Sequence, residues 1–387
     1  MTPRALLKGA GGTAVALVLA AAFASAQAQQ TLVVPFAGPL TGPIATYGLE
    51  PLHGAMLAAE DINKAGGLKA GPWKGVQIKI EQYDDRGDPQ ESANIAQKLI
   101  LNKDLTVLIG HIFSGNCLSA LPIYEKAKVT MATPICSNPK VTQSGFKYVA
   151  RVTQDENANG VAQVELATKS LKGKKLGFLW ANQDFGKGLF EIASAHAKKN
   201  NIQFVAEPYN EKETDFKAIL NRFKAAGVDQ ITHLGFYTEA ALQARQAKEV
   251  GLNVPFFAGP GVVSPEFIKL GGKDVEGVIV MDFMQESMNS PKLQELEKRV
   301  KDGFKEQLNL YHRNGYDVMN FVAAGLEGAK SKSHEDVNAS MRAVSIKGLN
   351  YDLKLSPEGT LIVPLDKMDQ YYFLKTVKGG KFVDYKP

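Results

Sequence analysis

Short apolar runs alternate with amphipathic stretches along most of this chain. Residues 31–40 (TLVVPFAGPL) read as a strand that ends in a Gly/Pro loop. Over 52–65, Leu52, Met56, Ala59 and Ile62 recur at helical spacing, and Gly66-Gly67 closes the helix. Residues 76–85 alternate like a strand, 92–101 read as a helix, 106–110 (TVLIG) as a buried strand, 117–127 as a helix and 129–133 as a strand. The rhythm restarts after Arg151. Helices are expected over 159–170, 188–200, 216–226, 238–250, 293–307 and 316–330, with strands over 175–181, 202–209, 230–236, 255–260 and 277–283. This βαβ alternation predicts an α/β fold with mostly parallel, doubly wound sheets in two similar domains. The rhythm alone leaves open how often the chain crosses between them.

The N-terminus breaks the pattern. Arg4 and Lys8 precede an Ala/Val/Leu run to about Phe23, and small residues follow at A-x-A spacing. Residues 1–28 therefore read as a signal peptide rather than an anchor, which implies export to the periplasm and a setting that permits disulfides. The remainder, about 360 residues, is long for one core. The formal charge of +5 is spread without a basic stripe, so no nucleic-acid partner is expected.

Ligands of open α/β sheets bind beyond the carboxyl ends of the strands. The informative residues are thus those that follow strands: Gly38 to Gly42 with Tyr47, Ser114-Gly115-Asn116, and Thr133 to Ser137. Hydroxyls beside free N–H groups at a helix start suit a carboxylate, although Ser114 or Asn116 could equally be a simple N-cap. Enzyme chemistry is not signalled. The six histidines (53, 111, 196, 233, 312 and 334) form no H-E-x-x-H pattern, and G-x-S-x-G and the P-loop are absent. No metal site and no cofactor are expected. Asp84-Asp85 reads as a solvated strand end, and His111 as a hydrogen-bonded core histidine.

Taken in order, the segments GPLTGPIATYG (38–48), GAMLAAEDINKAGG (54–67), YDDRGDPQESANIAQKLI (83–100), VLIGHIFSG (107–115), IYEKAKVTMATP (123–134), DFGKG (184–188) and TDFKAILNRFKAAGVDQI (214–231) resemble the leucine/isoleucine/valine-binding family of periplasmic receptors of ABC importers. The resemblance covers essentially the whole chain after the leader. It implies a non-catalytic receptor of type I periplasmic binding protein fold: two Rossmann-like lobes, a ligand cleft between them and a three-stranded hinge. Lobe one would be 29–152 plus 283–358, and lobe two 153–282 plus 359–387. The implied partners are a small-molecule ligand and a membrane permease, with the receptor a monomer. A ligand-sensing subunit of a regulator is the alternative.

The resemblance also assigns roles. Ser114 and Ser137 would hold a carboxylate through hydroxyl and N–H, and Ile135 through its backbone. Tyr47 would wall the same pocket, and Phe185, Phe236 and Tyr311 would close over an apolar body. One departure matters. Where relatives place an acid that pairs with an α-ammonium, this chain has Gly261. Either another acid, such as Glu239 or Asp282, substitutes, or the ligand has no ammonium, because an unpaired buried ammonium costs several kcal/mol. The expected ligand is a small carboxylate with an aromatic or apolar body, of benzoate or phenylpropanoid type. A branched-chain or other apolar amino acid, or a short amide or urea, is the alternative. Related receptors often carry a disulfide between the positions of Phe113 and Gly87, and neither is cysteine here. A different bridge, Cys117 to Cys136, is expected, against two buried free thiols.

Overall fold

The computed structural model describes residues 30–285, 290–349 and 351–387; the expected signal peptide lies outside them. Strands β1 (Thr31–Gly38), β2 (Gln77–Asp84), β3 (Val107–Gly110), β4 (Thr130–Thr133) and β5 (Val149–Arg151) form one sheet in the order β2-β1-β3-β4-β5. All its pairings are parallel. Strands β6 (Lys175–Ala181), β7 (Gln203–Tyr209), β8 (Gln230–Leu234), β9 (Phe256–Ala258) and β10 (Ile279–Asp282) are the parallel part of a second sheet. Its order is β14-β13-β10-β9-β8-β6-β7, and β13 (Phe373–Lys378) and β14 (Lys381–Asp384) run antiparallel at one edge. A small ribbon pairs β11 (Ser345–Lys347) with β12 (Asp352–Lys354).

The helices carry the crossovers. On the first sheet these are α1 (Thr46–Lys64), α2 (Pro89–Leu99), α3 (Ser114–Ala127) and the short α4 (Lys140–Gln143). With the second sheet come α5 (Glu156–Glu165), α6 (Asp184–Lys199), α7 (Lys217–Ala225), α8 (Tyr237–Glu249) and α9 (Pro265–Gly271). Three more follow: α10 (Pro291–Phe304), α11 (Leu310–Gly328) and α12 (His334–Ala343). The first and last two of these return to the first half: α10 and α11 pack on α1, and α12 on β4 and β5. The chain thus leaves the first half after β5, returns after β10, and joins the second sheet again at β13.

Two helices begin earlier than the pattern implies. α1 starts at Thr46 despite Gly48 and Pro51, and the glycine is required, since a Cβ there would stand 2.1 Å from the Pro39 carbonyl oxygen. α11 starts at Leu310, where Asn309 caps it by accepting from the N–H groups of Tyr311 and His312. Its first two turns hold His312, Arg313, Asn314 and Asp317, all buried. The hydrophobic pattern fails there because a helix enclosed on all sides buries polar groups as well.

Arg151 holds the first crossing together. It is fully buried and every guanidinium nitrogen is bonded. Nε donates to Thr360 Oγ1 (2.8 Å), Nη1 to the carbonyls of Asn138 (2.7 Å) and Ser137 (3.2 Å), and Nη2 to Thr142 Oγ1 (2.8 Å) and Asp155 Oδ2 (3.2 Å). Such satisfaction is what lets a charge stay in the interior; burial still lowers its pKa to about 10, opposed by Asp155 and Glu156. Backbone bonds run both ways between this residue and the last crossing, from Arg151 N to Gly359 O (2.8 Å) and from Leu361 N to Arg151 O (2.9 Å).

Cys117 and Cys136 are joined, with Cα atoms 6.6 Å apart. Both are buried among Leu108, Leu121, Tyr124 and Met131 on the outer face of the first sheet.

Candidate functional site

The carboxyl ends of the two sheets face each other, and the segments that follow the strands meet there. Between them lies a narrow cavity of about 50 Å³. All eight residues singled out in the sequence line it: Tyr47, Ser114, Ile135, Ser137, Phe185, Phe236, Gly261 and Tyr311. All but Tyr311 arrive by the same local logic, a buried apolar strand followed by a turn or a helix start, whereas Tyr311 stands in the first turn of α11 after α10. Ser114 opens α3 directly after β3, and the residue before it, Phe113, offers no side-chain cap to the first-turn N–H groups. Ile135 and Ser137 sit in the loop after β4, Phe185 in the first turn of α6 after β6, and Phe236 between β8 and α8.

The aromatic wall is continuous. Tyr47 meets Phe113 and Phe236 edge-on (5.3 Å each), Phe236 stacks on Phe185 (5.2 Å), and Tyr311 closes on Tyr47 (5.4 Å). The Tyr47 hydroxyl joins the halves. It donates to the Gly261 carbonyl (2.5 Å) and accepts from the Tyr237 N–H (3.1 Å). Tyr311 donates to the Pro260 carbonyl (2.9 Å). Outside the cavity, Thr46 Oγ1 pairs with the Tyr237 hydroxyl (2.6 Å), which also donates to the Pro43 carbonyl (3.2 Å). Burial raises the pKa of Tyr47 and Tyr311 well above the ordinary phenol value, so both are neutral donors.

The polar side of the cavity is made of hydroxyls and amides. Ser137 Oγ donates to Glu156 Oε1 (3.2 Å), and Ser114 Oγ accepts the Asn138 N–H (3.3 Å). Sequence reasoning missed Thr153, Gln154, Asn159 and Asn314. Gln154 Nε2 is a buried amide donor without a partner, which is the group a bound acceptor would satisfy. The only signal for these was their place after the short strand β5 and on the misjudged start of α11.

Among the described residues, no acidic or basic side chain lines the cavity. The two acids considered as replacements at the Gly261 position are engaged elsewhere. Asp282 pairs with Lys375 (2.9 Å) and accepts from the Phe283 N–H (2.7 Å). Glu239 accepts from the Lys212 N–H (3.2 Å) and from the Thr238 hydroxyl. Neither acid lines the cavity in this structure. Glu156 lies behind Ser137, and burial raises its carboxyl pKa well above the usual range; Asp155 and Asp184 add to this, while Ser137 and Arg151 oppose it. Position 261 itself has no room, because a Cβ there would stand 2.4 Å from the Gly235 carbonyl oxygen.

Comparison with known proteins agrees with this architecture. The family described as periplasmic binding protein matches residues 31–381. A leucine-, isoleucine-, valine-, threonine- and alanine-binding protein of Pseudomonas aeruginosa is 30% identical over 350 residues, 88% of this chain and 90% of that protein. Among solved structures, a leucine binding protein of Thermotoga maritima superposes with a TM-score of 0.82 at 25% identity, covering 92% of this chain and 97% of that one. A solute binding protein of R. palustris, in complex with benzoate, shares the fold at TM-score 0.80 and 18% identity, with 92% and 96% covered.

Proposed function

Because the chain belongs to the periplasmic binding protein family, a family of receptors and not of enzymes, we propose that it captures a small carboxylate with an apolar body between its two halves and hands it to the permease of an ABC importer. The leader-like sequence of residues 1–28 supports a periplasmic site of action. The observation that carries the proposal is the cavity itself, where Ser114, Ser137 and the free Gln154 amide oppose a wall of Tyr47, Phe185, Phe236 and Tyr311. Hydroxyl and N–H donors suit the carboxylate, and the rings suit its body.

The relatives support an apolar, branched-chain amino acid as the ligand. The Pseudomonas aeruginosa protein, named for leucine, isoleucine and valine as well as threonine and alanine, aligns over most of both chains. A second reading, an aromatic or aliphatic acid without an ammonium, is favoured by the uncharged lining and by Gly261. A buried ammonium with no carboxylate partner costs several kcal/mol, whereas a carboxylate has the hydroxyls of Ser114 and Ser137 and the Gln154 amide to offset its desolvation.

Matched pairs of ligands separate the readings in a thermal-shift titration. A ligand at one hundred times its Kd adds about 2.7 kcal/mol of stability. Stabilisation by leucine and not by 4-methylpentanoate, its ammonium-free counterpart, selects the amino acid. The reverse, or strong stabilisation by benzoate, selects the second reading. If no carboxylate stabilises the protein, the carboxylate assignment falls.

A further inference from the structure

Helices α1 and α11 cross where each places a glycine against the other. A Cβ on Gly54 would stand 1.8 Å from the His312 carbonyl oxygen, and one on Gly315 would stand 1.9 Å from that of Pro51. This close approach brings His53, on α1, to His312, on α11, and to Glu306, just before the α11 cap. Glu306 Oε2 lies 2.8 Å from His53 Nδ1 and 2.9 Å from His312 Nε2. One donor atom from each of the three residues lies within 4.8 Å of the others.

The hydrogen bonds around His312 leave a charge unaccounted for. Asn309 Oδ1 accepts the N–H groups of Tyr311 (3.0 Å) and His312 (3.3 Å), so the amide orientation is fixed. The contact of that same oxygen with His312 Nδ1, at 2.9 Å, must then be an N–H donated by the ring. In a neutral imidazole the other nitrogen, Nε2, carries only a lone pair. It faces a carboxylate oxygen, and two lone pairs repel at that distance. A positive charge has to stand between them, either a second ring proton or a metal ion.

Three features favour the metal. Two imidazoles and one carboxylate are a donor set that zinc takes with a further position open. The Nδ1–H to Asn309 bond is the kind of outer hydrogen bond that fixes a ligating histidine in the right tautomer. The cluster also reaches solvent, since the side chains of His53 and Glu306 are 16% and 28% exposed while that of His312 is fully buried. Zinc bonds of about 2.0–2.2 Å at tetrahedral angles place donors roughly 3.3–3.6 Å apart, so the Glu306 oxygen has to move about 0.5–0.7 Å farther from each ring nitrogen.

We propose that His53, Glu306 and His312 form a binding site for a zinc-like transition-metal dication, held on the outside of the ligand cavity by the α1–α11 crossing. The site is separate from the cavity chemistry and does not depend on which ligand the receptor takes. It links the helix that begins beside Tyr47 to the segment that leads into Tyr311.

The test uses untagged protein stripped with EDTA and titrated with ZnCl2 alone by calorimetry, and with Co2+ by visible absorption. One equivalent should bind with micromolar affinity or tighter, and Co2+ should give the intense visible bands of a low-coordinate N/O site. Glu306→Gln keeps the side-chain shape, and His53→Ala removes a partly exposed ring; each should weaken Zn2+ binding by at least tenfold without loss of the folded circular dichroism spectrum. No stoichiometric binding would overturn the proposal and leave a single proton shared between His312 Nε2 and Glu306 Oε2. Binding undiminished in both variants would overturn it as well, by placing the ion at other surface groups.

Discussion

Replacing Tyr47 with phenylalanine removes one oxygen and keeps every ring contact. That oxygen makes two bonds, both to the other half of the molecule: it donates to Gly261 O at 2.5 Å and accepts from Tyr237 N–H at 3.1 Å. Each intramolecular hydrogen bond contributes a net ~0.5–1.5 kcal/mol, so the closed arrangement should lose ~1–3 kcal/mol relative to an open one in which water satisfies both backbone groups. At about 1.4 kcal/mol per tenfold, the closed population falls by roughly five- to more than a hundredfold. A ligand that binds only the closed form must make up that difference, so its affinity falls by the same factor. Calorimetry with the tightest ligand from the carboxylate panel reads the affinity, and small-angle X-ray scattering without ligand reads the spread of the halves. Thr46→Ala is the control. It removes the 2.6 Å contact with the Tyr237 hydroxyl but lies off the cavity wall, so it should lower affinity in the same direction with no lost ligand contact. Unchanged affinity and scattering in Tyr47→Phe would refute the reasoning, and loss of affinity in Tyr47→Phe alone would make the hydroxyl a ligand contact.

Other substitutions probe the same neighbourhood. Gly261→Ala places a Cβ 2.4 Å from the Gly235 carbonyl oxygen and should cost about 1–3 kcal/mol in urea unfolding; a cost under about 0.5 kcal/mol would show that the approach is looser than described. Glu156 has its carboxyl pKa raised by burial, so its contribution is full below the unfolded value and is lost as pH rises toward the folded one, at about 1.4 kcal/mol per pH unit. Glu156→Gln should therefore gain on the wild type as pH rises from acid to neutral, and parallel stability curves would contradict the buried neutral acid. Removing the Cys117–Cys136 link by double alanine substitution opens a loop of sequence separation 19 and should lower stability by ~3 kcal/mol, measured as a urea midpoint against wild type; an unchanged midpoint counts against the link.

What the sequence revealed follows from how strands end. A buried run such as VLIG, followed by residues that cannot continue a strand, marks Ser114 without any three-dimensional knowledge, and the same holds for Ile135 and Ser137, whereas Phe236 came only from the family resemblance. The start of α1 was hidden because Gly48 and Pro51 look like breakers, although Gly48 is there to pass the Pro39 carbonyl. The start of α11 was hidden because LYHRNGYD has no apolar stripe, yet its residues are buried by neighbours on every side. His53 and His312 were set aside because their spacing matches no linear motif, and Glu306 drew no notice; two helices crossing at Gly54 and Gly315 bring the three together, and no local pattern encodes that. Gln154 lies beyond a strand of only three residues, too short to announce its end.

Arg151 fixes where the molecule can bend. Its five guanidinium bonds and the two backbone bonds to Gly359 and Leu361 prevent the first and last connecting segments from sliding past each other. Two of its bonds end on the carbonyls of Ser137 and Asn138, so a shift of the connecting segments is transmitted directly to the Ser137 side of the cavity.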